Sequence, residues 1–196
     1  MDDRCGRESR VDPESEGGRS SGDRIVSNSL GLDVEREAPD FSAPLTYSNG
    51  ETETVALSTL LADGPVLLAF YTNDFSPDCI TESCAFRDGR WFGSDGAVQV
   101  VGVSRSRPFT HRKFIDHLDL EFPLFSDSDL TITEAYRVKY RLFKLLPRPR
   151  RSCFLIDRDG RIRYKWIGDH PLDATRDTPS MNEIHAAIDE ELDGCG

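Results

Sequence analysis

The chain has 196 residues, a length typical of one folded domain, and its 35 acidic and 24 basic residues give a formal net charge of −11. This balance argues against nucleic acid as the main partner, because phosphate binding needs a basic face. The apolar stretches are far shorter than a membrane-spanning helix, so no membrane partner is expected.

The basic residues are unevenly chosen, since only four of the 24 are lysines and the others are arginines. An acidic surface of this kind is tolerated in a cytosol of molar ionic strength, where charge repulsion is screened. The N-terminal sequence contains no apolar block of signal-peptide length. We therefore predict a soluble, cytoplasmic protein with reduced cysteines and hold a halophilic origin as a hypothesis.

The composition divides the chain into three parts. Residues 1–33 are mostly Asp, Glu, Arg, Ser and Gly with almost nothing to bury, which predicts a disordered tail. A single domain is predicted over 34–192, with the packed part beginning near Ala38-Pro39-Asp40-Phe41. Residues 193–196 are predicted to be a flexible C-terminus.

Strands and helices alternate along the domain. The apolar run 66–71 predicts a strand buried on both faces, and Ser76-Pro77 predicts the start of a helix that runs to about Arg90. A second buried strand is predicted at 98–103, and Pro108 begins a second helix.

The second half of the domain is predicted to complete an α/β sandwich with a central mixed sheet flanked by helices. The remaining predicted elements are a short strand or extended link at 122–125, a short helix at 130–136, a β-hairpin of 152–157 and 161–167 around Asp159-Gly160, and a closing helix at 181–192.

Cys79 lies in the first turn of the helix that follows the first buried strand. Helix amides and the helix dipole favour a thiolate there, and the carboxyl ends of parallel strands are where α/β folds place their sites. A lone cysteine is also commonly a small core residue. Its position alone leaves both interpretations open.

The segment from Thr72 to Cys79 resembles the active-site loop P-x-x-x-[TS]-x-x-C of peroxiredoxins, with Ser76 as its hydroxyl residue. Glu82 matches a position that is often acidic in that family. Further matches occur in the family's order between about Ala38 and Leu192, at Gly102-Val103-Ser104, His111, Phe114, Phe122 to Asp127, Ala135 to Val138 and Arg151 to Asp157.

The resemblance implies a thioredoxin-like fold and a thiol peroxidase that needs no cofactor. Cys79 would attack a hydroperoxide and become a sulfenic acid. Arg151 would stabilise the thiolate and hold the peroxide oxygens, since displacement at oxygen needs a thiolate and moves charge onto the leaving oxygen. Ser76 would position the peroxide, or cap the helix, or do both.

Thr72 departs from the family pattern, in which this position is proline. Proline shields the cysteine and shapes the loop, so threonine predicts a more open pocket or a reduced activity.

Cys84 completes the resemblance, because its spacing from Cys79 is similar to that of the Q-type branch, the bacterioferritin-comigratory-protein group. There the second cysteine forms a disulfide with the first, and an external dithiol of the thioredoxin kind reduces it. In a helix the two Cα atoms would be about 8.7 Å apart, beyond the roughly 7 Å that a disulfide allows. The helix must therefore unwind, unless Cys84 is simply a core residue.

The other conspicuous residues have plainer interpretations. Cys153 is predicted to be core, and Cys5 and Cys195 lie in the predicted tail and frayed end. We interpret the basic segment 137–151 as positive charge that offsets the acidic residues of the domain, or as a docking surface for an acidic reductant. The histidines and cysteines lack metal-ligand spacing, so no metal is expected.

Two other functions remain open on the same fold. One is a thioredoxin-like disulfide oxidoreductase, which normally uses a C-x-x-C motif absent here. The other is a non-catalytic redox sensor or interaction protein, which the threonine at position 72 favours. The preferred peroxide is not predicted, and a monomer or a homodimer is expected.

Overall fold

The structure is a computed structural model that describes residues 30–89, 98–142, 146–168 and 179–193. In chain order the first elements are β1 (Ser42–Thr46), β2 (Thr52–Ala56), α1 (Leu57–Asp63), β3 (Val66–Phe70), α2 (Pro77–Asp88), β4 (Gln99–Ser104) and α3 (Pro108–Leu118). They are followed by β5 (Leu124–Ser126), α4 (Thr131–Ala135), β6 (Lys139–Leu142), β7 (Leu146–Pro149), β8 (Ser152–Ile156), β9 (Ile162–Ile167) and α5 (Met181–Asp193).

Seven strands form one mixed sheet in the order β2-β1-β5-β4-β3-β8-β9. The central strands β3, β4 and β5 are parallel, whereas β1 and β8 pair antiparallel to β5 and β3. Parallel strands need crossover connections, and α2 and α3 supply them. Helices therefore begin just beyond the carboxyl ends of β3 and β4, which is the edge that carries Cys79.

The sheet is buried on both faces because its central strands are apolar throughout. All five residues of β3 are buried, and alternate side chains enter two separate cores. Leu68 and Phe70 pack in the core that includes α1 and α4. Leu67 and Ala69 pack in the core that includes α2, α3 and α5, and Cys79 belongs to this second core.

The predicted elements are present with small shifts at their ends. The strand at 66–71 is β3, the helix at Ser76-Pro77 is α2, and the hairpin is β8 with β9. The sequence pattern does not predict β1, β2 or α1, nor the small two-stranded sheet of β6 and β7 that lies in the basic segment.

The packed part of the chain begins slightly earlier than residue 34. Leu32 is 7% exposed and belongs to the first core, and Asp33 forms an ion pair with Lys165 at 3.1 Å. The predictions for residues 1–29 and 194–196, including Cys5 and Cys195, lie outside the described residues. In the described part of the chain, none of the helices has the length and apolar character needed to cross a membrane.

Candidate active site

The site lies where β3, α2 and β8 meet. Phe70, the last residue of β3, pairs with Ser152, the first residue of β8. Because the two strands are antiparallel, the residue before β8 lies beside the loop that leaves β3. This register carries Arg151 to the N-terminal end of α2, where the family resemblance implied that it would lie.

Cys79 is fully buried in the first turn of α2, and two polar groups contact its sulfur. The Nη2–H group of Arg151 donates to Cys79 Sγ at 3.2 Å. The hydroxyl of Thr72 lies 3.4 Å from the same sulfur. A thiolate carries no proton, so Thr72 is then the donor, and the sulfur anion has a cation and a hydroxyl as partners.

Arg151 is itself buried, with 1% of its surface exposed, and is held from its other side by Glu82. Its Nη1–H group donates to Glu82 Oε2. Burial raises the pKa of Glu82 to about 7, against the lowering effect of Arg151. The guanidinium is therefore held between the Glu82 carboxyl group and the Cys79 sulfur.

Ser76 and Cys84 occupy the positions along α2 that the sequence predicted. Ser76 is the N-cap residue and is half-buried, but its hydroxyl makes no capping hydrogen bond. The predicted position of Ser76 as N-cap before Pro77 is therefore confirmed, whereas the side-chain hydrogen bond of a cap is absent. Cys84 is half-buried, and both cysteines are free thiols in one unbroken helix.

The remaining described cysteine, Cys153, is a core residue as predicted. It is fully buried in the second core, and burial raises the pKa of its thiol well above the usual range. The described residues contain no cluster of three or more His, Cys, Asp or Glu side chains that could hold a metal ion.

Asp74 is a residue of the site region that the sequence pattern does not predict. Its carboxylate is buried in the loop before α2 and lies 3.0 Å from the ring of His111, which is also buried. The sequence indicates His111 only as a match to the peroxiredoxin series. One sequence feature could have indicated its place near the site. His111 lies in the first turn of α3, which begins at the same edge of the sheet as α2.

Residues 34–165 match the model of the AhpC/TSA family. The chain belongs to the AhpC/TSA family.

Curated relatives in this family carry peroxiredoxin names. The chain is 35% identical over 140 residues to a putative peroxiredoxin bcp of Coxiella burnetii, covering 70% of this chain and 89% of the relative. It is 31% identical over 159 residues to peroxiredoxin Bcp of Bacillus subtilis, covering 78% and 98%.

Solved AhpC/TSA-type structures share the fold. Peroxidoxin BcpB from Mycobacterium tuberculosis superposes with a TM-score of 0.66 at 28% identity, covering 83% of this chain and 98% of that one. The reduced 2-Cys peroxiredoxin of Plasmodium vivax gives a TM-score of 0.71 at 23% identity, covering 81% of each chain. These findings confirm the resemblance to peroxiredoxins and the predicted thioredoxin-like α/β fold.

Proposed function

We propose that this protein is a thiol peroxidase that reduces hydrogen peroxide and organic hydroperoxides through Cys79. The observation that carries the proposal is the bridge made by Arg151, which donates to Cys79 Sγ and to Glu82 from a buried position. A fixed cation beside the sulfur stabilises the thiolate that attack on a peroxide requires. The family membership and the peroxiredoxin names of the relatives support the same activity.

In the first step the Cys79 thiolate attacks the terminal oxygen of the hydroperoxide. A bond forms between sulfur and oxygen while the O–O bond breaks, and the leaving oxygen takes a proton and departs as water or an alcohol. Arg151 stabilises the charge that moves onto the leaving oxygen. The hydroxyl of Ser76, which makes no capping hydrogen bond, is proposed to orient the peroxide. Glu82 is proposed to hold Arg151 in place.

In the second step the Cys84 thiol attacks the sulfenic acid at Cys79. A disulfide forms, the S–O bond breaks and water leaves. Since both cysteines lie in α2, the first turns of this helix must open before the sulfurs can meet. We propose that a thioredoxin-like dithiol then supplies two electrons to the disulfide, and that the protein works as a monomer or a homodimer in the cytoplasm.

Peroxide consumption in the presence of a dithiol, with mass spectrometry of the products, tests this mechanism in the wild type, Cys79→Ser and Cys84→Ser. We expect no turnover in Cys79→Ser, and sulfenic or sulfinic acid at Cys79 instead of a disulfide in Cys84→Ser. Cys153→Ala, which removes a buried thiol from β8, is the matched control and is expected to form the disulfide normally.

Other outcomes separate the alternatives. Disulfide exchange without peroxide consumption would indicate a thioredoxin-like oxidoreductase. Oxidation of Cys79 without turnover by any dithiol would indicate a redox sensor. Equal peroxide consumption in all variants would overturn the proposal.

A further inference from the structure

A buried polar cluster fastens the loop before α2 to the rest of the domain. Its members are Tyr71 at the end of β3, Asp74 in the loop, Ser104 and Ser106 at and after the end of β4, and His111 in α3. None of them forms a hydrogen bond with Cys79 Sγ among the described residues. The catalytic steps proposed for Cys79 and Cys84 leave this cluster without a role.

Asp74 is the centre of the cluster, because three elements meet at this one residue. Its Oδ1 atom accepts hydrogen bonds from the Tyr71 hydroxyl at 2.8 Å and from Ser104 Oγ at 3.4 Å. Its backbone N–H donates to Ser106 Oγ at 3.1 Å. Burial, then the charge of Asp74, raises the pKa of Tyr71 well above the usual range, so this hydroxyl remains a donor.

The other carboxylate oxygen faces His111. Nε2 of that ring lies 3.2 Å from the carbonyl oxygen of Phe125, which only accepts, so Nε2 carries a proton. Nδ1 lies 3.0 Å from Asp74 Oδ2, and neither atom has another hydrogen-bond partner among the described residues. The two buried side chains therefore face each other at ion-pair distance, and neither facing atom has an alternative polar partner in the described part of the chain.

The segment that follows Asp74 is more exposed than the cluster. Phe75 is 44% exposed, although one side of its ring packs against Phe114, and Pro77 and Asp78 are exposed as well. Apart from the bonds of Cys79 Sγ to Thr72 and Arg151, the hydrogen bonds of the first turn run within the helix, from Ile80 N to Ser76 O and from Thr81 Oγ1 to Pro77 O. We therefore expect local stability to decrease after Asp74, where the contacts of the cluster end.

We infer that Asp74 and His111 are positioning residues that fasten the start of the Cys79 loop, so that α2 unwinds only from Phe75 onward. This inference rests on the proposed disulfide between Cys79 and Cys84. In the reduced protein the fastening holds Cys79 against Arg151, and after oxidation it keeps Thr72 and the end of β3 in place. The site can then re-form when the disulfide is reduced.

Asp74→Ala removes the centre of the cluster and leaves His111 facing an empty space. We expect the rate constant for Cys79 oxidation by hydrogen peroxide to fall about tenfold or more, because the folded loop becomes a minor state. We expect disulfide formation to become faster and overoxidation of Cys79 at high peroxide to decrease. A merely structural loss would slow both steps together.

Two variants make the test specific. Asp74→Asn keeps the shape, and its amide N–H can donate to Nδ1 of a neutral His111, so it is expected to restore both rates to near those of the wild type. Asp127→Ala removes another buried carboxylate, which accepts from Ile132 N, Thr133 N and Thr133 Oγ1 and forms no side-chain hydrogen bond to the cluster among the described residues. This control is expected to lower stability without changing the ratio of the two rates.

Hydrogen exchange supplies a measurement that does not depend on turnover. In the reduced protein, Asp74→Ala is expected to speed exchange of the amides of 72–76, whereas Asp127→Ala is not. In the disulfide form of the wild type, we expect lost protection from Phe75 onward and retained protection at 71–74. Ser106→Ala, which removes one bond to Asp74, is the milder variant if Asp74→Ala does not fold.

The failures of the two proposals differ. A wild type that neither consumes peroxide nor forms the Cys79–Cys84 disulfide refutes the proposed function, and the exchange of the reduced variants still decides whether the loop is fastened. An active wild type whose rates and loop exchange are unchanged by Asp74→Ala refutes the inference alone. Loss of protection through 71–74 in the disulfide form refutes it as well.

Discussion

Thr72 replaces the proline of the peroxiredoxin loop, and the structure gives the replacement a specific contact. Its hydroxyl lies 3.4 Å from Cys79 Sγ, a bond that proline lacks the hydroxyl to make. Proline at this position would shield the sulfur by its ring alone. Threonine adds a donor for the thiolate, so the departure from the pattern does not by itself predict a weaker enzyme.

Thr72→Val removes the donor and keeps the shape of the side chain. We expect the rate constant of Cys79 oxidation by peroxide to fall about tenfold, since a hydrogen bond to a charged group contributes roughly 1.5 kcal/mol or more. Thr72→Ser is expected to restore most of the rate. Stopped-flow peroxide consumption measures both.

Thr46→Val provides the control for this substitution. Thr46 is also fully buried, and its hydroxyl bonds to Thr52 in a different part of the sheet. If Thr72→Val reacted as fast as Thr46→Val, the hydroxyl would have no part in the reaction.

The ionisation of Glu82 makes the stability of the folded protein depend on pH. The pKa of Glu82 in the folded protein, about 7, lies above its ordinary value of 4.5 because burial penalises the carboxylate. Between pH 4.5 and about pH 7 the folded state therefore keeps a proton that the unfolded state has released. On this account stability is greatest at the acidic end, falls as the pH rises through the window, and stays level above it.

Glu82→Gln removes this titration. From pH 4.5 to pH 8 we expect the free energy of unfolding of the wild type to fall by about 1–3 kcal/mol more than that of the variant. Urea denaturation at a series of pH values measures the difference. Glu190→Gln, at an exposed position of α5, is expected to follow the wild type, and parallel curves for all three proteins would contradict the prediction.

The residues of the site differed in how far the sequence could predict them. Cys79 was predictable as a candidate from its place at a strand-to-helix junction. The place of Arg151 beside it came only from the family resemblance, because the pairing of β3 with β8 leaves no local pattern. Asp74 was not predictable in this way. Its partners lie just after β3, at the end of β4 and in α3, and only the packing of these elements shows that one carboxylate contacts them all.

At the scale of the elements, α2 is a helix with little apolar surface to anchor its beginning. Its buried residues are Cys79, Glu82, Ser83 and Phe86, which lie on one face at helical spacing. Phe86 is the only large apolar side chain of that set, and it lies toward the C-terminal end. Apart from the partly buried Ile80, which packs against the second core, the first turns are therefore held by the polar contacts of the site, which change when the sulfur is oxidised.

Disulfide formation is expected to shorten α2. An intact helix would keep the two Cα atoms about 8.7 Å apart, so the disulfide form must lose helical structure between Cys79 and Cys84. Far-UV circular dichroism of the reduced and oxidised wild type measures this loss. Peroxide-treated Cys84→Ser is expected to keep the signal of the reduced protein, and an unchanged spectrum of the disulfide form would contradict the requirement for unwinding.

The elements that the sequence did not reveal share a physical reason. β1 contains Pro44, and β2 is exposed over its first three residues, so neither shows the apolar pattern of a buried strand. α1 has seven residues and no side-chain cap. Prolines at 147 and 149 concealed β7, whereas the continuous apolar run of β3 made the central strand plain.

At the scale of the whole molecule, the net charge of −11 predicts a stability that depends on salt. Acidic side chains repel one another at low ionic strength, and salt at 1 M reduces the screening length to about 3 Å. We expect the free energy of unfolding to rise between 0.1 M and 2 M potassium chloride, as measured by thermal denaturation. Full stability in dilute buffer with no gain from salt would count against the halophilic hypothesis.

The complete burial of Cys79 also sets the order in which its reactants arrive. A protein dithiol is too large to reach this sulfur while α2 is folded, so the reductant has no access before the peroxide has reacted. Once the helix opens, the electron donor meets a disulfide from which the first product has already departed. Such an enzyme never binds both substrates at once, and its steady-state kinetics are expected to be ping-pong.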